Sequence, residues 1–165
     1  MHNKHDIKTT VDNLRELAKH VREFDADRID MNTFVGVPYV IYYEDDDAEG
    51  GDDYRAIDRD KYDELVIEGG HECNTSCCML GIAHTKGMGE NVSGDYWDLS
   101  TALFPVIPNV GYFTLKDSNA EKCKVWRSLF SVSLSNDKEA RIKGLLMAAD
   151  QLEQTGTINI EELPK

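Results

Sequence analysis

The chain has 165 residues, 41% of them hydrophobic and 30% charged, and a formal net charge of −13. That length supports one domain with a real core, and the composition is that of a folded chain with strongly polar segments rather than a disordered one. The acidic balance excludes general binding to a nucleic-acid backbone, which needs clustered Lys and Arg, and no apolar run reaches the roughly 20 residues of a membrane span.

The first residues, Met1-His2-Asn3-Lys4-His5-Asp6, lack the apolar stretch of a secretory signal, so a cytosolic location is expected. Residues 8–24 predict an amphipathic helix. Val11, Leu14, Leu17, Ala18, Val21 and Phe24 recur at spacings of three and four, with Arg15, Glu16, Lys19 and Arg22 between them. Thr9 or Thr10 is suited to cap it. Thr33 to Tyr43 is β-branched and aromatic, and Val37–Tyr43 reads as a strand with Pro38 at its start or on an edge.

Composition then changes. Between Glu44 and Glu68 there are 12 acids and 3 bases, so this stretch contributes 3 − 12 = −9 of the −13. Gly50-Gly51 marks a loop tip, and 44–53 is expected to be an exposed excursion, followed by a short helix around 54–64 and a short strand at 65–67. An EF-hand reading fails on spacing. A loop starting at Asp45 places Ala56 at the twelfth position, where a bidentate Glu is needed, and one starting at Asp47 places Gly51 at the fifth, a ligand position.

Residues 75–86 predict a helix capped by Asn74 or Thr75, apolar on most faces and stopped by Gly87 and Gly89. From 94 to 115, Pro105 and Pro108 interrupt the apolar pattern, and irregular structure is expected with a short strand at 110–115. Residues 119–131 predict a helix with Val125, Trp126, Leu129 and Phe130 inward. The last helix is predicted to start at Asn136, with Glu139 three residues on. It carries Ala140, Ile142, Leu145, Leu146, Ala149 and Leu152 on one stripe and ends at Gly156. Thr157–Lys165 is expected as an edge strand or a loose tail. Together these elements predict an α+β fold, a mainly helical single domain over 1–156 with a few short strands, an acidic loop insertion at about 44–53 and a C-terminal tail at 157–165.

The chemistry-bearing stretch is His71-Glu72-Cys73-Asn74-Thr75-Ser76-Cys77-Cys78, followed six residues later by His84. Cysteines in a cytosolic chain are thiols or ligands sooner than disulfides. Cys73 and Cys77 have C-x3-C spacing, and His71, Cys73 and Cys77 (or Cys78) form the best candidate zinc subset. A second ligand pair is missing, because Cys77 and His84 on one helix would stand roughly 10 Å apart. A thiolate nucleophile at Cys77 or Cys78, with His71 as base, is a further reading. Against both stands the reading of these cysteines as small apolar fillers at a buried helix start, which the flanking Met79, Leu80, Ile82 and Ala83 favour. Nucleotide-binding, hydrolase and metalloprotease motifs are absent from the chain.

Four segments resemble a group of small, mostly uncharacterised proteins encoded by bacteriophages and prophages. They are Asn13-Leu14-Arg15-Glu16-Leu17-Ala18 with Asp30-Met31-Asn32-Thr33-Phe34, then Cys73 to Gly81, then Trp126-Arg127-Ser128-Leu129-Phe130-Ser131, then Ala140 to Leu146. The second is similar to the group's C-G-T-x-x-C-x-x-G segment with Asn74 in place of glycine, and the third to its W-x-x-L-F-S block. The resemblance implies a source and a fold and no mechanism; His71 and His84 fall outside the group's pattern. The resulting expectation is a non-enzymatic, phage-encoded protein of the host cytoplasm that binds a host, defence or virion protein, without a cofactor. Glu44, Asp45, Asp46, Asp47, Glu49, Asp52 and Asp53 would meet a basic partner. The alternatives are a zinc- or thiol-dependent enzyme centred on His71, Cys73, Cys77 and Cys78, and a capsid-associated structural protein.

Overall fold

A computed structural model describes residues 2–31, 33–34, 37–38, 78–92, 96–108, 123–131 and 134–165. The apolar spacing of the first segment becomes helix α1, Lys4–Glu23, which starts before residue 8 because Ile7 already packs against the core. Asn3 is the cap: its Oδ1 accepts the Asp6 N–H at 2.8 Å. Thr10, expected as a cap, lies inside the helix and is wholly buried, its Oγ1 accepting the Val106 N–H at 3.4 Å. Thr10, Val11, Leu14, Leu17, Ala18 and Val21 form the buried face. A 3-10 turn, Ala26–Arg28, follows, capped by Asp25.

Strand structure is where the expectation is overturned. Among the described residues β1 (Thr33–Phe34) pairs with β2 (Val37–Pro38), antiparallel, with Thr33 opposite Pro38 and Phe34 opposite Val37. Among the described residues these strands make no sheet layer for helices to pack on. Five α-helices among the described residues supply the core instead, so the fold class is corrected from α+β to mainly helical. Residues 39–77, 109–122 and 132–133 lie outside the described residues, and with them the rest of the predicted strand at 37–43, the acidic loop, the elements at 54–67 and the strand at 110–115.

Helix α2, Met79–Thr85, begins later than predicted: Cys78 has extended backbone (φ −76°, ψ 179°) and holds the N-cap position, with no side-chain cap bond. The expected caps, Asn74 and Thr75, lie outside the described residues. Met79, Leu80, Ile82 and Ala83 are fully buried, so α2 sits at the centre of the core. It ends in a Schellman motif: the Gly87 N–H bonds the His84 carbonyl at 3.0 Å and the Met88 N–H bonds the Ala83 carbonyl at 3.0 Å, with Gly87 at φ 77°.

The region expected to be irregular contains helix α3, Tyr96–Leu103. Pro105 does not prevent this helix; it ends it, since the residue before a proline is driven out of the α region. The Phe104 N–H still bonds the Ser100 carbonyl at 2.9 Å. Helix α4, Lys124–Phe130, buries Trp126, Leu129 and Phe130, with Val125 half-buried. Phe130 stacks on Phe104 at a centroid distance of 5.1 Å.

Helix α5, Lys138–Thr155, is capped by Asp137, whose Oδ1 accepts the Ala140 N–H at 3.1 Å. Asn136, the predicted cap, instead accepts the Met31 N–H at 2.8 Å. Gly156 closes the helix at φ 74°. The following residues are neither a strand nor loose: Ile160–Glu162 is a 3-10 turn, and Leu163 is buried in the core. Helix α1 packs chiefly on α5 and also touches α2 and α3; α4 packs on α5 and on the last 3-10 turn.

Truncating Leu14 or Leu145, each at most 1% exposed, is expected to destabilise by roughly 2–5 kcal/mol in urea unfolding. Glycine substitutions should rank by surroundings. An alanine Cβ at Gly89 (φ 69°) would lie 2.7 Å from Leu99 Cδ1, whereas at Gly156 (φ 74°) nothing lies within 4 Å. Gly156→Ala carries only left-handed backbone strain, about 1 kcal/mol, and Gly89→Ala should lose more, roughly 1–3 kcal/mol. The reverse order in denaturant midpoints would contradict the packing around Gly89.

Candidate functional site

The acidic residues Glu44, Asp45, Asp46, Asp47, Glu49, Asp52 and Asp53, and the metal candidates His71, Cys73 and Cys77, lie outside the described residues. What the structure places is the framework on either side of them. The described chain leaves off at Pro38 in β2 and resumes at Cys78 before α2. These two points sit on neighbouring elements, since β1 pairs with β2 and packs against α2.

Of the cysteine cluster, Cys78 alone is described. It is 1% exposed and joins Met79 and Leu80 in the core, the place of a small apolar filler rather than of a solvent-facing nucleophile. Cys123 is also buried, at the N-cap position of α4. His84 is half-buried on the last turn of α2. Among the described residues no group of three His, Cys, Asp or Glu side chains is placed to hold a metal ion.

The interior polar groups are structural. The Trp126 Nε1–H donates to Ser100 Oγ at 2.9 Å, which satisfies both in the core between α3 and α4. Asn13 Nδ2 donates to the Leu103 carbonyl at 2.8 Å and ties α1 to the end of α3.

Among the described residues, one charge network joins two helices at the surface. Arg15 on α1 donates from Nη1 to Glu153 Oε1 at 3.1 Å, and from Nη2 to Glu153 Oε2 at 2.7 Å and Asp150 Oδ1 at 2.9 Å. This two-pronged grip on Glu153 holds its carboxyl below the ordinary range and raises the guanidinium further. Beside it Lys8 pairs with Asp12.

A second arginine escaped the sequence reading. Arg141 is 3% exposed. It stands four, seven and eleven residues before Leu145, Ala148 and Leu152, on the core face of α5. That spacing was the readable signal, and it was hidden because arginine is counted as polar wherever it falls.

Comparison with known proteins yields no match: no family model, no curated protein and no solved structure aligns significantly with the chain. Any functional reading therefore rests on the chain's own residues.

The Arg15–Glu153 grip has a pH signature. A depressed carboxyl pKa in the folded state contributes stability above the unfolded value, and this is lost as pH falls through the folded value. Acidification below 4.5, the ordinary glutamate value, should therefore lower the stability of the wild type more steeply than that of Arg15→Ala. Equal acid slopes in urea unfolding would remove this pair from the account.

Proposed function

We propose that the chain is a non-enzymatic interaction protein of phage origin that acts in the host cytoplasm by binding a host, defence or virion protein through the acidic stretch Glu44–Glu68. The observation that carries this reading is the division of charge. That stretch holds −9 of the −13, which leaves −13 + 9 = −4 for all other residues. A dense single-sign field accelerates encounter with an oppositely charged surface and discriminates against like-charged ones. The four segments similar to phage and prophage proteins support the source. Glu44, Asp45, Asp46, Asp47, Glu49, Asp52 and Asp53 are the contact residues in this reading.

The second reading, a zinc- or thiol-dependent centre at His71, Cys73 and Cys77 or Cys78, draws on the C-x3-C spacing and the adjacent histidine. It predicts about one zinc per chain and a dependence on Cys73, whereas the interaction reading predicts neither.

Both are tested on untagged protein. Replacing the seven acids of 44–53 with Asn, Gln and Ser should weaken binding of a Lys/Arg-rich peptide probe at least tenfold by calorimetry at low salt, with the melting temperature kept. It should also abolish capture of the protein that the wild type retains from infected-host lysate. Unchanged capture sinks the acidic-surface reading. Stoichiometric zinc in elemental analysis, with loss of function in Cys73→Ser, would install the metal reading in its place.

A further inference from the structure

Arg141 poses an energetic problem that its surroundings do not solve. The residue is 3% exposed and its Nε is buried, yet its one hydrogen bond among the described residues is from Nη2 to the Pro164 carbonyl, long at 3.3 Å. Its Nε has no partner among the described residues, and none of their ion pairs includes it. Burial pushes its pKa down in spite of the attraction of Asp137 one turn earlier. A cation removed from water without an opposite charge is unfavourable, and replacing such a group by an apolar one of similar volume often stabilises a fold.

The cover is the segment 157–165. It runs back along α5 as a short strap: the Asn159 N–H donates to Gln151 Oε1 at 2.8 Å, and Gln151 Nε2 donates to Glu162 Oε2 at 2.8 Å, both at the surface. Leu163 is its one buried side chain, and the ring of Pro164 lies against Gly144, where an added Cβ would meet it at 3.6 Å. Leu163, the half-buried Ile158 and the Pro164 ring anchor the strap, and a terminal segment of nine residues held at these points opens locally at less cost than global unfolding. A guanidinium, once uncovered, presents a planar fork that matches the two oxygens of a carboxylate or phosphate.

We propose that Arg141 is an anion-binding group beneath a displaceable cover, and that the strap 157–165 lifts from α5 when the guanidinium takes up a small oxyanion. The shared chemistry is that of phosphate and carboxylate, and the occupied state removes the uncompensated charge that the closed state buries. A purely structural Arg141, acting as the clamp of the strap, makes the opposite predictions.

The test reads amide hydrogen exchange at Glu162 and Leu163, whose N–H groups bond the Asn159 and Ile160 carbonyls. Inorganic phosphate or acetate is added at constant ionic strength set with sodium chloride. In the wild type either anion should speed strap exchange several-fold; a response to phosphate alone assigns the site to phosphate, and a response to both assigns it to oxyanions generally. Arg141→Met, which keeps length and loses charge, should slow strap exchange several-fold without added anion and abolish the anion response. Arg141→Lys, which keeps the charge without the fork, should retain the fast exchange of the wild type. Faster strap exchange or a lowered melting temperature in Arg141→Met, or a wild type indifferent to both anions, overturns the proposal and makes Arg141 the clamp.

Discussion

The antiparallel packing of α1 on α5 is the constraint on which the rest of the described structure depends. At 20 and 18 residues they are the only described helices longer than the roughly 12–15 residues at which an isolated helix becomes marginally stable. Helices α2, α3 and α4 have seven or eight residues and persist through tertiary burial. The register of the long pair is fixed by polar ties along its length. Lys138 Nζ donates to the Phe24 carbonyl at 2.6 Å at one end, and Arg15 reaches Asp150 and Glu153 further along. With α1 held this way, its remaining apolar face becomes the platform on which α2 and α3 dock.

The two long helices were legible because an apolar stripe repeated over five or six turns has no competing reading. Their ends were less so. Asn3 and Thr10 are both competent caps, and so are Asn136 and Asp137; the choice was made by distant partners, Val106 for Thr10 and Met31 for Asn136. Helix α3 was missed because two prolines dominated the local pattern, though they lie beyond its last residue. The tail was missed because Ile158, Ile160 and Leu163 are spaced by two and then three residues and fit neither a strand nor a helix stripe, and the burial of Leu163 depends on the assembled core. The site was the least legible part. Acidic density declares a field but no geometry, and clustered cysteines satisfy a metal, a nucleophile or a core equally well until neighbours are placed. Cys78 shows the core outcome at the one position of that cluster that the structure describes.

Charge is used in two ways in this chain. On the helical framework, acids are answered by bases: Asp12 by Lys8, and Asp150 and Glu153 by Arg15. Such exposed pairs add little to stability each, but they leave the framework close to neutral. Between Glu44 and Glu68 twelve acids face three bases within the stretch. A surplus of one sign within one stretch is the kind of field that steers encounter with an oppositely charged surface.

The pairing of α1 with α5 also bears on how the chain is made. Lys138 follows Glu23 by 138 − 23 = 115 residues, so the principal partner of α1 is synthesised long after it. At about 5–20 residues per second, translation of that interval takes roughly 6–23 s. Throughout it the stripe of Val11, Leu14, Leu17 and Val21 lacks its main cover. Contacts of such sequence separation also slow the folding search itself. The nascent chain therefore passes through a stage in which an amphipathic segment is offered to whatever apolar surface is nearby until α5 emerges.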